Sequence, residues 1–454
     1  MIDIKLLRSD KERFYNSCRA RGFDLNILDK FFSLDLKWRE NLKILNTYKH
    51  DKNVITSDIS SLVKKGENID NLKLEVEKIN KKISLQEEEQ NNIESERNEL
   101  VRLIPNLLAE DVPICKGDEN SKLVRYVGNA RVFKDDIGNF REGSGDSKDY
   151  TVIDKKPVDH QTLMEKYNLA DIERAGKIAG SRFYFLKNRL FKLELALINY
   201  GVDFLSQRNF TVMEPPFMIN YASMSGATDI ETFKESLYKI EGDDLYLIAT
   251  AEHPLASMLS GEILEESELP LRVSGVSPCF RREAGAHGRD TKGIFRVHQF
   301  NKIEQFIYCR PEESWDFFDE LVKNSEDIYK SLGLPYRIVN ICSGDLGSLA
   351  AKKYDIEVWY PSQGKFREVV SASNDTDYQA RSLNIRYRAK DGNKFAHTLN
   401  STAIATERVL VAICLIIDWK QQSVPQVQGQ HRLWHYRPVS LSHLYERHSL
   451  QVPV

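Results

Sequence analysis

Two arginines carry the most chemical information in this chain. Arg281 lies in Pro278-Cys279-Phe280-Arg281-Arg282-Glu283 and Arg408 far downstream in Thr406-Glu407-Arg408, with no phosphate-binding glycine loop between them. A chain that handles nucleotide without such a loop must neutralise phosphate charge with fixed guanidinium groups. Their planar fork meets phosphate oxygens two at a time and never loses its proton.

Further charged residues gather around these two. Phe280 to Glu283 reads as a strand, followed by a polar loop with Gly285, Gly288, Arg289, Asp290 and Gly293, and then a second strand from Phe295 to Glu304. In this hairpin Arg281 and Glu283, and Arg296, His298 and Glu304, fall at even spacing, so each set can share a sheet face. Acids and bases facing one another on a sheet are costly unless paired or liganded. A salt-bridged exposed face is the plainer explanation, and the apolar company of Phe280, Phe295, Phe300 and Ile303 argues against it. Thr250-Ala251-Glu252 and Glu368-Val369-Val370-Ser371 each end a strand-like segment with a carboxylate near a hydroxyl, a donor set that suits magnesium or an ammonium group. In His397 to Arg408, small residues precede an apolar helix on which Arg408 can face a cavity.

These residues must be positioned by a larger framework. Runs at Leu245–Ile248, Phe295–Phe300 and Tyr354–Trp359 read as strands without regular strand–helix alternation, which predicts an α+β body with an antiparallel sheet and flanking helices over residues 151–413. Upstream, after a short helical lead-in, Leu34, Trp38, Leu42, Leu45, Ile59 and Val63 keep heptad-like spacing until Lys64-Lys65-Gly66-Glu67 interrupts it. A second run follows at Leu72, Val76, Ile79, Ile83, Gln86, Gln90, Ile93, Arg97, Leu100 and Ile104, stopped by Pro105. Two such helices joined at a glycine turn predict an antiparallel coiled-coil hairpin over about 30–104 within a helical arm of residues 1–110. Its seam is thin and partly polar, so the hairpin projects into solvent; simple oligomerisation is the competing use. Residues 111–150, rich in Asp, Gly and Asn, read as a linker.

Bulk properties limit the possibilities. At 454 residues, with 41% hydrophobic and 29% charged residues, the chain is a soluble protein of two or three domains; its net charge of −3 leaves room only for local basic faces. Cys18, Cys115, Cys279, Cys309, Cys342 and Cys414 are scattered, which predicts reduced thiols in a cytoplasmic protein and no zinc cage. The charged N-terminus is unlike a signal peptide, and the longest apolar run, Val409 to Ile417, is too short to span a bilayer.

Taken together, Leu247-Ile248-Ala249-Thr250-Ala251-Glu252-His253-Pro254-Leu255, Phe280 to Gly285, Gly293 to Phe300, Ser371 to Asn374 and Leu399 to Thr402 resemble the signature motifs of class II aminoacyl-tRNA synthetases. The wording is most similar to the seryl-tRNA synthetase family in its archaeal form, over residues 1 to about 413, with the first motif around Gly201 to Pro216.

That resemblance implies a homodimeric ATP-dependent ligase that adenylates serine and transfers it to tRNA(Ser), and to tRNA(Sec) in some hosts. It implies that Arg281 holds the α-phosphate and the serine carboxylate, that Arg408 grips the γ-phosphate of a bent ATP, and that Arg282, Glu283, Val297, Val369 and Val370 join the ATP site, Glu283 and Val297 near adenine. Glu368 and Ser371 would coordinate Mg2+. Thr250, Ala251, Glu252, Arg281, Glu304 and Thr402 would form the serine pocket. The hairpin would rest on the long variable arm of the tRNA, with lysines such as Lys43, Lys49, Lys78 and Lys82 as candidate contacts.

After Ile413 the resemblance fails, and residues 414–454 form an atypical tail with His431, His435, His443 and His448. Two other functions compete: an amino acid:carrier protein ligase, against which the full hairpin argues, and a non-catalytic scaffold, against which the intact Arg281, Glu304, Glu368 and Arg408 argue.

Overall fold

The computed structural model describes residues 1–115, 121–283 and 292–423. The expected polar loop around Gly285 to Asp290 and the tail histidines lie outside the described residues.

The arm opens with α1 (Ile4–Ser9) and α2 (Lys11–Ala20), capped by the side chains of Asp3 and Asp10. The hairpin is α3 (Leu25–Lys65) and α4 (Asp70–Leu103), with Gly66 ending α3 in the left-handed conformation at φ 73°. Glycine adopts that conformation without steric cost. The α4 seam is as expected, with Gln90 and Arg97 buried and the intervening apolar positions half-buried. On α3 the seam shifts by one: Val63 is exposed, and Leu62 takes its place.

Polar residues organise the root of the hairpin. Asp35 is buried and receives Arg8 at 2.5 Å, Arg39 at 3.2 Å and Arg97 at 3.5 Å, while the Arg97 guanidinium lies 4.3 Å from the Trp38 ring centre. Further out, the buried Asn41 donates to Gln90 Oε1 at 3.0 Å. Buried polar pairs of this kind fix register between two helices.

The body is an eight-stranded sheet. Its strands are β1 (Lys122–Val127), β2 (Thr211–Met213), β3 (Leu271–Phe280), β4 (Gln299–Cys309), β5 (Tyr336–Asn340), β6 (Lys352–Tyr360), β7 (Lys365–Asn374) and β8 (His397–Ala405), in the order β1-β5-β6-β7-β8-β4-β3-β2. Every pair is antiparallel except β3/β2. The largest core packs α5 (Asn188–Ser206), α7 (Ser314–Ser331) and α8 (Thr406–Ser423) onto this sheet through Ile303, Ile307, Leu321, Ile404 and Val409. A second core packs α6 (Glu252–Ser257) against Phe306 and Tyr308 of β4.

Several expectations need correction. The segment 111–150 is no simple linker, because β1 inside it forms an edge of the main sheet, and Ala130–Phe133 pairs with Tyr150–Ile153 beside a helix at Ile137–Ser144. An edge strand that exposes Lys122, Val124 and Arg125 and packs Tyr126 against Phe140 of that helix reads like a loop because half of it stays in solvent. The strand beginning at Leu245 ends at Leu247 and pairs with Met218–Asn220 outside the main sheet. The Arg281 hairpin exists, but β3 stops at Phe280 and β4 starts at Gln299, so Arg281, Glu283, Arg296 and His298 lie in the connection and not on the sheet. Cys115 and Cys342, expected to be reduced, form a disulfide with Cα atoms 5.8 Å apart across 227 positions, a pairing that spacing alone cannot reveal. Cys18, Cys279, Cys309 and Cys414 are free and buried.

Candidate active site

Two bulges aim the side chains of the cleft. Between β4 and β8 the register moves from Ile303↔Ile404 to Glu304↔Thr402, passing over Ala403. The slip sets Glu304 opposite Thr402, whose Oγ1 donates to Glu304 Oε2 at 3.3 Å. Between β6 and β7 the register moves from Ile356↔Val370 to Glu357↔Glu368, passing over Val369. In a regular strand Glu368 and Ser371 would face opposite sides, and the extra residue returns them to one face. Val369 and Val370, expected at the nucleotide, bury their side chains in the core, so only their backbone can face a ligand. Val297 is buried in the same core.

Glycine closes the floor. Gly275 of β3 lies opposite Glu304, and a Cβ there would stand 2.7 Å from the Ala251 Cβ. The missing side chain lets α6 press onto the sheet and brings Glu252 beside Glu304. Ala251, expected in the serine pocket, is fully buried in this contact and supplies packing. Thr250 is buried, and its Oγ1 accepts the Glu252 amide at 3.1 Å. Gln379 donates to Glu252 Oε1 at 2.9 Å. Burial, then the nearby Glu304 charge, pushes the Glu252 carboxyl up to about 7.

The walls are cationic. Arg281 donates from Nε to the Ala249 carbonyl at 3.2 Å, and its guanidinium lies 5.2 Å from the Phe300 ring centre. Phe300, a side chain that sequence reasoning passed over as mere apolar company, faces the cleft on the same side of β4 as Glu304, two pleats away. Arg282 is exposed, whereas Glu283 is held by Arg296 at 2.7 Å and adopts a positive φ of 51°.

Arg408, at the start of α8, donates from Nη1 to the Glu368 carbonyl at 2.8 Å and stands 3.3 Å from its carboxylate. Burial works to raise the Glu368 carboxyl, but Arg408, Lys353, Arg281 and Lys302 together hold it below the ordinary range. Glu407 is buried and pushed up to about 7 by desolvation, with Arg408 and Arg281 partly offsetting that rise. The charges of both arginines oppose the effect of burial on the carboxyls of Glu368 and Glu407.

The oxygen donors Glu368, Ser371 and Asp355 gather on β6 and β7, where Asp355 pairs with Ser371 across the strands. Asp355 Oδ1 is buried without a hydrogen-bond partner, and Lys353 lies 3.7 Å from the other oxygen. Two carboxylates and a hydroxyl fit a magnesium ion, which keeps few protein ligands and shares the rest with phosphate. Sequence reasoning missed Asp355, whose only signal is its place opposite Ser371.

This arrangement, an antiparallel sheet whose cleft is lined by arginines and carboxylates, is the body of a class II aminoacyl-tRNA synthetase. Residues 233–416 match the tRNA synthetase class II core domain (G, H, P, S and T), and residues 1–108 match the seryl-tRNA synthetase N-terminal domain. The chain is 74% identical to the serine–tRNA ligase of Picrophilus torridus over 413 residues, covering 91% of this chain and 93% of the relative. Its fold is similar to the crystal structure of seryl-tRNA synthetase from Pyrococcus horikoshii complexed with ATP, at TM-score 0.88 and 47% identity over 91% of this chain and 93% of that one. It also resembles the cytoplasmic serine–tRNA ligase of Naegleria fowleri in complex with AMP, at TM-score 0.78 and 38% identity over 91% and 92% of the two chains. The chain belongs to the seryl-tRNA synthetase family.

Proposed function

We propose that the chain is a serine–tRNA ligase: it activates L-serine with ATP to seryl-adenylate, releasing pyrophosphate, and transfers the seryl group to tRNA(Ser). The observation that carries this reading is the Arg408–Glu368 contact beside a buried floor on which Glu304 meets Thr402 and Gln379 holds Glu252. Attack of a carboxylate on the α-phosphorus needs no protein nucleophile. It needs two anions held in line and the developing charge neutralised.

Arg281 meets the serine carboxylate and the α-phosphate together, and Arg408 holds the γ-phosphate. Glu283, Arg282, Phe300 and the backbone at Val297, Val369 and Val370 surround the adenosine. Glu368, Ser371 and Asp355 would hold Mg2+, which supplies charge neutralisation at the phosphates. Thr250, Glu252, Glu304 and Thr402 receive the ammonium and hydroxyl of serine. Alanine would leave these buried polar groups unpaired and is rejected on that ground.

The long hairpin of α3 and α4 serves as the tRNA-binding arm, with exposed Lys43, Lys78 and Lys81 along its length. Lys49 is engaged with Glu87 at 2.8 Å, and Lys82 lies 5.5 Å from the Tyr48 ring centre, so both have internal partners. Exposed Phe191 and Leu195 on α5 offer an apolar face for a second copy in a homodimer. No helix among the described residues is long and apolar enough to cross a membrane, which is consistent with work in the cytoplasm. ATP–pyrophosphate exchange tests the reading: serine supports exchange, alanine does not, and silence with every amino acid would favour a non-catalytic scaffold.

A further inference from the structure

We infer that Lys302 is a positioning residue for serine recognition, holding Glu304 in one orientation through a buried ion pair; this rests on the serine-activating reading above. Lys302 and Glu304 lie on the same face of β4, with side chains only 7% and 2% exposed, and the ammonium Nζ stands 2.7 Å from Glu304 Oε2. Lysine is almost never buried to this degree unless it has a specific partner. Its strand neighbours are small, Ser277 on β3 and Ala405 on β8, and they leave room for the extended side chain.

The consequence lies in how Glu304 distributes its two oxygens. Among the described residues, the contacts of its carboxylate, from Lys302 Nζ and from Thr402 Oγ1, both fall on Oε2. Oε1 is left for a donor from the substrate. A glutamate without this partner could rotate, and rotation would turn away the acceptor that distinguishes serine from an apolar amino acid. The pair is also the local counterweight to a crowd of titratable groups: Glu252 and His253 on α6, Cys279 on β3, Arg281 beyond it, Glu368 on β7 and Glu407 on α8. Four of those six are acids or thiols that favour a cation at the centre, and the Glu304 charge helps push the Glu252 carboxyl up. Lys302 touches Glu304 directly, whereas it reaches Glu368 and Glu407, near the assigned γ-phosphate, only through its field. Its effect should therefore fall mainly on the amino acid.

The test is pyrophosphate exchange by the full-length protein carrying Lys302→Met, which keeps the length of the side chain and removes the charge. The KM for serine should rise roughly 10- to 100-fold, the range for loss of a hydrogen bond to a charged group, while the KM for ATP stays within about threefold. In a Glu304→Gln background the same substitution should add almost nothing, since its only route to the substrate is gone. An unchanged serine KM, an equal rise in both KM values, or full additivity with Glu304→Gln would each overturn the inference. If Lys302→Met does not fold, Lys302→Arg decides: the cation and its contact with Glu304 persist, so the serine KM must stay within about threefold of wild type, and a rise of roughly 10-fold or more overturns the inference. Wild-type protein silent with serine would instead sink the functional reading itself.

Discussion

Arg408 grips Glu368 twice, through Nη1 to its backbone carbonyl at 2.8 Å and through a 3.3 Å approach to its carboxylate. The bidentate contact joins the first turn of α8 to the middle of β7, elements that are distant in sequence. It also keeps Glu368 anionic and preloads Arg408 with a negative partner that ATP and its metal must replace or share.

Glu368→Gln therefore should act on metal dependence as well as on rate. Exchange activity is expected to fall about 100-fold, within the range for losing one preorganised electrostatic partner, and the magnesium concentration giving half-maximal activity should rise. A variant with wild-type magnesium dependence would show that Glu368 is only a structural partner of Arg408.

Glu407 makes stability depend on pH. Its folded carboxyl is pushed up from an ordinary 4.5 to about 7, because desolvation outweighs the two nearby arginines. A raised folded value means that the contribution is fully present below the unfolded pKa and is lost as pH rises through the folded one. Thermal stability of the ligand-free protein should thus decline between pH 5 and pH 8 by on the order of 3 kcal/mol from this group. Glu407→Gln should flatten that decline, as read from Tm at several pH values; an unchanged slope would assign the dependence to other groups.

The root of the arm, where Asp35 collects three arginines, separates the hairpin from the body. Replacing residues 46–83 with a short glycine turn keeps that root and the Asn41–Gln90 pair. The shortened protein should exchange pyrophosphate at close to the full rate and lose most tRNA charging, measured as seryl-tRNA formed. Retained charging would take the tRNA-binding role away from the distal hairpin.

Much of this architecture was legible in the residues. The α4 heptads name its buried seam because a coiled coil repeats without interruption, and Arg408 meets Glu368 as opposite charges on facing elements do. What escaped has physical causes. Period-two reading assumes regular strands, so the bulges at Val369 and Ala403, which decide that Glu368 joins Ser371 and Glu304 meets Thr402, leave no mark in composition. Strand β1 was hidden by its exposure, and the Cys115–Cys342 bond by its separation. Ala251 looked like a pocket residue but fills the gap above Gly275. Lys302 was not singled out in the sequence, since a lone lysine in a strand does not announce burial.

Calorimetric titration of ATP and of AMP, each with magnesium, into wild-type protein and Arg408→Ala tests the central claim most directly. If guanidinium groups from separate parts of the chain enclose one bent triphosphate, the wild type binds ATP at one site per chain. The variant then weakens ATP roughly 10-fold or more while leaving AMP nearly untouched, the expected cost of a lost charge-assisted contact. Equal weakening of both nucleotides, or no heat from wild-type protein with ATP, would contradict it.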